Sequence, residues 1–255
     1  MTKKKVVLLV CFLVFALLLV LNGTLFVVHN VEVVEYRGEQ TDLDKQKIAE
    51  YAGISGRNIF TVSENIAIEN IQKMMPNVKV EDIVREFPWT VKIVVSERIG
   101  IIAIRNVNNG YAIIDKEGVV LKNVATLDEV APISVFEVST PVSNSIGQKV
   151  GLESGHLARL KQVVATFEQA GESGFRGKNF CRVVENIAFD GISVKVEMKE
   201  GAIFVYDSNN DATQKLHALI SFWNSNPDKR TSGVYSVSEK DESTGKYQII
   251  EMGQA

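Results

Sequence analysis

The chain has 255 residues, 45% of them hydrophobic, with 28 basic against 31 acidic residues and a formal charge of −3. That length can bury one to three small cores. A weakly acidic balance without a basic stripe excludes a nucleic-acid scaffold. Five prolines and no low-complexity tract are the composition of a folded protein.

The charge is unevenly placed. Lys3, Lys4 and Lys5 precede a stretch with no charged residue before Glu32. Val6 to Leu21 are all apolar, and after Asn22-Gly23-Thr24 the run resumes at Leu25 to Val28. As a helix, 6–28 would reach roughly 35 Å, enough to cross a hydrocarbon core of about 30 Å. The expectation is a short cytoplasmic tail (1–5), a single transmembrane helix (6–28) and an extracytoplasmic remainder, oriented by lysines before the span and acid after it. A cleaved signal peptide would need a small-x-small site where Leu21-Asn22-Gly23 stands, and a lipoprotein would need a small residue where Val10 precedes Cys11. Cys11 inside the span and Cys181 beyond it cannot meet, so Cys181, between Phe180 and Val183, reads as a buried, inert thiol. Beyond the lysines, 25 basic and 31 acidic residues leave a net −6, an ordinary soluble surface.

Residues 31–98 form a first module. Val31 to Arg37 reads as a strand ending at Gly38. Thr41 can cap a helix over Asp42 to Tyr51, which Gly53 stops. Ser63 can cap a second, with Ala67, Ile68, Ile71, Met74 and Met75 on one face and Pro76 as its stop. Val78 to Phe87 and Thr90 to Arg98 are strands joined through Pro88-Trp89. The two helices can cover one face of such a three-stranded sheet and leave an edge open. The segments Gly53-Ile54-Ser55-Gly56-Arg57-Asn58-Ile59-Phe60, Met75-Pro76-Asn77-Val78 and Arg85-Glu86-Phe87-Pro88 carry a resemblance, as does the run in which Ile93, Val95, Glu97 and Arg98 recur. In this order, after a short-tailed anchor, they resemble the POTRA domain (β-α-α-β-β) of the FtsQ/DivIB cell-division proteins.

Residues 99–255 form a second module. Ile101 to Arg105, Tyr111 to Asp115 and Gly118 to Leu121 read as a meander with Asn108-Asn109-Gly110 and Lys116-Glu117-Gly118 as turns. The spacing of Tyr111, Asp115, Gly118 and Val120 is similar to the opening of the β-domain that follows POTRA in that family. A helix over Glu153 to Ala170, with Gly171 as its stop, precedes strands over Cys181 to Phe189, Ile192 to Lys199 and Gly201 to Asp207. A last helix from Asp211, with Gln214 completing a capping box, carries Leu216, Leu219, Ile220 and Trp223 on one stripe. Gly233 to Val237 and Lys246 to Glu251 close the chain as strands. Ser232 to Val237 takes the place of a Gly-x-Ile-Asp-Leu-type run of the family and lacks its acid. The expected fold class is α+β: one transmembrane helix, a POTRA domain, then a mostly antiparallel β-domain with flanking helices.

No catalytic signature is complete. His29, His156 and His217 are far apart and fall in no zinc-ligand spacing. Gly171-Glu172-Ser173-Gly174 has Phe175 where a nucleophile elbow needs glycine. Gly53-Ile54-Ser55-Gly56-Arg57 lacks the phosphate-loop lysine. Asp207, Asn209 and Asp211 match the first ligands of a calcium loop, but Ala212 and Ala218 stand where glycine and the bidentate glutamate belong. The Glu239 to Glu242 run reads as a solvated turn. The reading is a non-enzymatic protein with no cofactor, metal, nucleic acid or small-molecule substrate. Its rivals are a membrane-anchored cell-wall enzyme and a POTRA-bearing export or assembly factor.

The resemblance implies a divisome scaffold at the septum, bound to single-span partners of the FtsL and FtsB (DivIC) type and linked to septal peptidoglycan synthesis. The mode expected is addition of a partner strand to an exposed sheet edge near the C-terminus. Candidate contact residues there are Tyr235, Tyr247, Ile249 and Ile250, with Trp223 on the adjoining helix as an anchor or, on its apolar stripe, as core. Proline at Gln248 is expected to remove a ladder donor from that edge. Arg85, Glu97 and Arg98 form the charged set of the POTRA hairpin, either as cross-strand ion pairs or as a polar rim for a partner.

Overall fold

The computed structural model describes residues 3–130, 132–170, 180–209, 211–238, 240–241 and 243–253. The chain divides into two compact units, Met1–Arg98 and Ile99–Ala255.

Unit 1 begins with the helix α1, Lys3–Leu25. The expected span over 6–28 falls partly on side chains (6, 7, 9 and 18–22) outside the described residues, and among the described residues no helix is long and apolar enough to cross a membrane. The far end of the expected span is also corrected. Phe26 to Val28 leave the helix and join the globular part: the Val28 N–H donates to the Arg57 carbonyl (2.8 Å), the Gly56 N–H to the Val28 carbonyl (2.9 Å) and the Ile59 N–H to the Phe26 carbonyl (2.8 Å). Val28 is fully buried. Apolar residues at that position serve a protein core.

The globular part runs β1 (Asn30–Glu35), α2 (Lys45–Ala52), α3 (Glu64–Met74), β2 (Val78–Glu86) and β3 (Thr90–Glu97). Its sheet has the order β1-β3-β2, with β1 parallel and β2 antiparallel to β3. Val91, Ile93 and Val95 alternate into the core, where Ile48, Ala52, Ala67 and Ile71 from the two helices meet them. A register shift between Val80 and Asp82 leaves Glu81 as an extra residue, so Val80 and Ile83, three apart, both point inward.

Two helix details differ from expectation. The cap of α2 is Asp44, whose side chain accepts from the Lys47 N–H, because the Thr41 hydroxyl is engaged with Glu35 (3.1 Å). Met74 is 57% exposed, since α3 turns only Ala67 and Ile71 fully inward.

Unit 2 is built on β4 (Ile102–Arg105), β5 (Tyr111–Ile114), β6 (Val120–Val124), β7 (Ser134–Glu137), α4 (His156–Ala170), α5 (Phe180–Val183), β8 (Val184–Asp190), β9 (Ser193–Met198), β10 (Ile203–Asp207), α6 (Ala212–Ser225), β11 (Val234–Val237) and β12 (Ile249–Gly253). These strands form one nine-stranded sheet in the order β12-β11-β10-β9-β8-β7-β4-β5-β6. The sheet is mostly antiparallel. It is interrupted by parallel pairs β4·β7, β7·β8 and β10·β11. Parallel neighbours need a crossover, and α4 and α6 supply two of them, β7-α4-β8 and β10-α6-β11. The two helices meet through Gln162 and Thr213 (2.6 Å), so they share one face of the sheet. Their Leu160, Val164, Phe167, Leu216, Leu219 and Trp223 fill the core there.

The sequence reading misses β7 altogether. It also extends the strand after α4 too far back: Phe180–Val183 is one helical turn, with Phe180 against Phe167 (5.6 Å) and Cys181 buried beside it. Burial pushes the Cys181 thiol up, away from the reactive thiolate. Asp211 occupies the cap position of α6 without a side-chain capping bond. The expected stop at Gly171 lies outside the described residues, as do Gly171-Glu172-Ser173-Gly174 and the ends of the Glu239 to Glu242 run.

Two predictions test this fold. Phe136, at 1% exposed the main apolar side chain of β7, should cost about 3–5 kcal/mol when changed to alanine. A urea titration of Trp223 emission in a Trp89→Phe background reads this. In unit 1, the hydrogen bond from Lys45, with help from Thr41, holds the Glu35 carboxyl below its ordinary value of 4.5. The contribution of Glu35 is therefore present above that value and lost as the pH falls through the lower folded one. The melting temperature of the chain should fall on acidification below about pH 4, and Lys45→Ala should make that fall shallower.

Candidate functional site

A sheet needs edges, and an edge strand offers unpaired N–H and C=O groups to whatever can complete its ladder. The large sheet ends in β6 and β12. The start of β6 is occupied: the Val120 N–H donates to the Gln148 carbonyl, the Gly147 N–H to the Val120 carbonyl and the Val150 N–H to the Gly118 carbonyl (2.9, 2.7 and 2.8 Å). Among the described residues, β12 pairs with β11 alone.

The register fixes which groups of β12 face out. Val237 stands opposite Ile249, Ser236 opposite Ile250 and Tyr235 opposite Glu251, and the Ser238 N–H donates to the Gln248 carbonyl (2.9 Å). Hydrogen-bonded and non-hydrogen-bonded pairs alternate along an antiparallel ladder. Gln248 and Ile250 therefore turn their backbone groups toward β11, and Ile249 and Glu251 turn theirs outward. This corrects the expectation for Gln248, whose N–H is directed to the Ser238 hydroxyl (3.1 Å) rather than to the open edge.

The side chains alternate in the other sense. Ile249 packs against the main core, and Glu251 meets Lys229 at 2.9 Å. Ile250 and Met252, 47% and 62% exposed, project from the opposite face. The hydrogen bond to Glu251 raises the Lys229 ammonium above its ordinary value, so the strand is pinned by a charge on one side and bare and apolar on the other.

The remaining expected contact residues are distributed differently. Trp223 and Tyr235 are buried. The Arg230 guanidinium lies 4.5 Å over the Trp223 ring, while Tyr235 donates to the Ser232 carbonyl (3.0 Å) and packs on Phe222. Their side chains belong to the core, as the apolar stripe of the helix allowed for Trp223. Tyr247 precedes β12 and lies half-buried against the start of α6, its hydroxyl 3.4 Å from Gln214 Oε1. Burial, then a hydrogen bond with Asp211, pushes its phenol up. Tyr247 thus straps the segment before β12 onto that helix.

Arg85, Glu97 and Arg98 are not one set. Arg85 stands opposite Val91 near one end of the β2–β3 ladder, and Glu97 stands opposite Val78 at the other. Arg85 instead reaches the Val62 carbonyl and Glu64, both at 2.9 Å, and so ties β2 to the start of α3. The Arg98 N–H donates to the Asn77 carbonyl (2.7 Å). Met252 and Glu251 are the edge residues that sequence reasoning left out; the signal was Met252 two places after Ile250, on the same face of the strand.

Among the described residues, no group of three or more His, Cys, Asp or Glu side chains could hold a metal ion. The calcium-loop lookalike is filled from within, because the Lys215 ammonium contacts Asp207 (2.5 Å) and Asn209 (3.1 Å). His217 is exposed, and His156 sits among the Phe136 and Phe189 rings.

A β-α-α-β-β unit whose first strand lies parallel to its last defines the class, a POTRA-bearing protein. Residues 29–98 match the family described as the POTRA domain, FtsQ-type. Over that stretch alone, the match supports the resemblance to the FtsQ/DivIB family. No curated protein matches the chain.

The edge geometry makes a prediction of its own. In the unliganded chain the amides of Ile249 and Glu251 should exchange with deuterium much faster than that of Ile250, which NMR or fragment-resolved mass spectrometry will read.

Proposed function

We propose that this chain is a non-enzymatic cell-division scaffold, anchored in the cytoplasmic membrane by α1, which captures single-span partners of the FtsL and FtsB (DivIC) type at the septum by strand addition to β12. The FtsQ-type POTRA domain supports the division role at the coarser level. The observation that carries the binding mode is the open edge of β12. Its sequence, Ile249-Ile250-Glu251-Met252-Gly253, has neither the lysine nor the proline that usually blunts an edge, and Ile250 and Met252 are exposed beside it. A partner strand would take its affinity from the outward backbone groups of Ile249 and Glu251 and its specificity from side chains meeting Ile250 and Met252.

The anchoring is supported by the state of α1. Its 23 residues would extend about 34 Å. Phe12, Leu13, Val14 and Phe15 are all more than half exposed, and four successive residues sample every side of a helix. Over these described residues the helix is apolar and exposed on every side, which suits a lipid environment. The three lysines before it support a cytoplasmic N-terminus.

Two measurements test the proposal. Glu251→Pro should abolish capture of the partners' extracytoplasmic segments in a pull-down, whereas Glu251→Ala, which keeps the outward N–H, should retain most of it; equal capture by both would sink strand addition. A fluorescently tagged chain should concentrate at midcell in dividing cells. A uniform envelope signal would count against the division role.

A further inference from the structure

We infer that the end of the POTRA unit next to α1 is a lipid-facing surface, on which Phe60, Phe87 and Trp89 sit in the headgroup layer of the outer leaflet. The inference rests on the reading of α1 as a membrane span and adds a second, peripheral contact to it.

Three separate segments converge at one end of the unit. Because β1 and β3 are parallel and Asn30 stands opposite Thr90, the turn before β3 lies at the end where the chain arrives from α1. Hydrogen bonds fix this: the N–H groups of His29 and Asn30 both approach the Trp89 carbonyl (3.0 and 3.3 Å). The loop between α2 and α3 is drawn to the same end by the bonds from Val28, Gly56 and Ile59. The aromatic rings follow. Phe26 and Phe60 have centroids 4.9 Å apart, and Phe60 and Phe87 are 5.2 Å apart. Phe60 and Phe87 are 53% and 58% exposed, and Trp89, in the same turn as Phe87, is 45% exposed, so three large apolar side chains are open at this end.

What covers the cluster follows from chain length. The helix ends at Leu25 and Val28 is fully buried in the unit. Only Phe26 and Val27 intervene, so the unit stands no more than about 10 Å from the end of the helix, even fully extended. The headgroup region outside the hydrocarbon core is about 5–8 Å deep on each side. With α1 spanning, the aromatic end is held in that layer. Its chemistry fits: Trp concentrates at membrane interfaces with its indole N–H toward water, and Phe is among the apolar residues that interfacial segments bury at the acyl boundary. Arg57, exposed on the same loop, offers a cation to lipid phosphate. Glu86, the acid next to the turn, is engaged by Lys92 at 2.6 Å and so does not present a bare negative charge to the membrane.

The test uses the full chain reconstituted into phosphatidylglycerol-containing vesicles, with and without lipids brominated near the glycerol end of their chains. Trp89 and the core residue Trp223 are the two tryptophans, so Trp89→Phe isolates the signal. Brominated lipid should quench a large part of the emission of the natural chain and little of that of Trp89→Phe. The exposed double substitution Phe60→Ser, Phe87→Ser should weaken the quenching while the chain still floats with the vesicles and keeps its melting temperature. A chain that floats and resists carbonate extraction, yet shows equal Trp89 emission in brominated and plain lipid, would overturn the lipid-facing surface and leave α1 as a span. Trp89 shielded from aqueous iodide without lipid quenching would assign the cluster to protein contacts, of this chain or of a second copy, also against the inference. Failure of the chain to float would overturn the spanning reading itself, and this surface with it.

Discussion

The insertion of Val28 into the POTRA core governs much of unit 1. A valine side chain fully removed from water, with its N–H and C=O both bonded to the loop between α2 and α3, leaves only Phe26 and Val27 between helix and domain. A flexible connection would let the domain tumble independently of α1. Here the last apolar residues of what reads as one continuous run are divided between two environments. The helix takes those up to Leu25 and the protein core takes Val28. Those bonds set the approach of the loop, and the N–H groups of His29 and Asn30, both directed at the Trp89 carbonyl, set that of the β2–β3 turn. The clustering of Phe26, Phe60 and Phe87 follows from the docking of this short segment.

In unit 2 the corresponding element is β7. It lies between β4 and β8 and is parallel to both. Without it the meander β4-β5-β6 and the ladder from β8 to β12 would be two sheets. The strand is four residues long and short of backbone pairing for that task, and its side chains supply the remainder. Ser134 is fully buried and donates to the Val184 carbonyl at 2.8 Å. Phe136 fills the core beneath the helices and stacks toward Phe189. A buried hydroxyl satisfied by a carbonyl on the neighbouring strand costs little and fixes register, because a slip of one residue would strand it unpaired.

The legibility of these features follows from how local each signal is. The POTRA elements were readable because their alternation and caps are written within ten residues or so, as in Val91, Ile93 and Val95. The strands β9 and β10 were readable for the same reason. The strand β7 was not: Ser134-Val135-Phe136-Glu137 has too few residues for a period, and its parallel partners lie far away in sequence. The turn at Phe180 to Val183 misled because two apolar residues and a valine look like a strand until Phe167 claims Phe180 from the side. At the candidate edge, the location of the final strand was legible and its orientation was not. Which of Gln248 and Ile249 faces outward depends on pairing with Ser238, a contact ten residues away across a charged link. Tyr235 and Trp223 have the composition of interface anchors, and only burial distinguishes an anchor from a core residue.

The edges can be compared with one another. In unit 1, β2 carries Lys79, Glu81, Asp82 and a bulge, and β1 carries Glu32 and Glu35; charge and distortion are the usual means by which an edge is made unattractive to another strand. In unit 2, β6 is partly covered by residues 147–150 of its own chain. By that measure β12 stands apart. It has one charge, Glu251, and that charge is held by Lys229, while Ile250 and Met252 are left exposed. Of the four edges of the two sheets, three are blunted or covered, and among the described residues the fourth, β12, is open and apolar, an arrangement that invites aggregation unless that edge is occupied. That is the physical reason for proposing that a partner strand completes β12, with its ladder beginning at the outward backbone groups of Ile249 and Glu251.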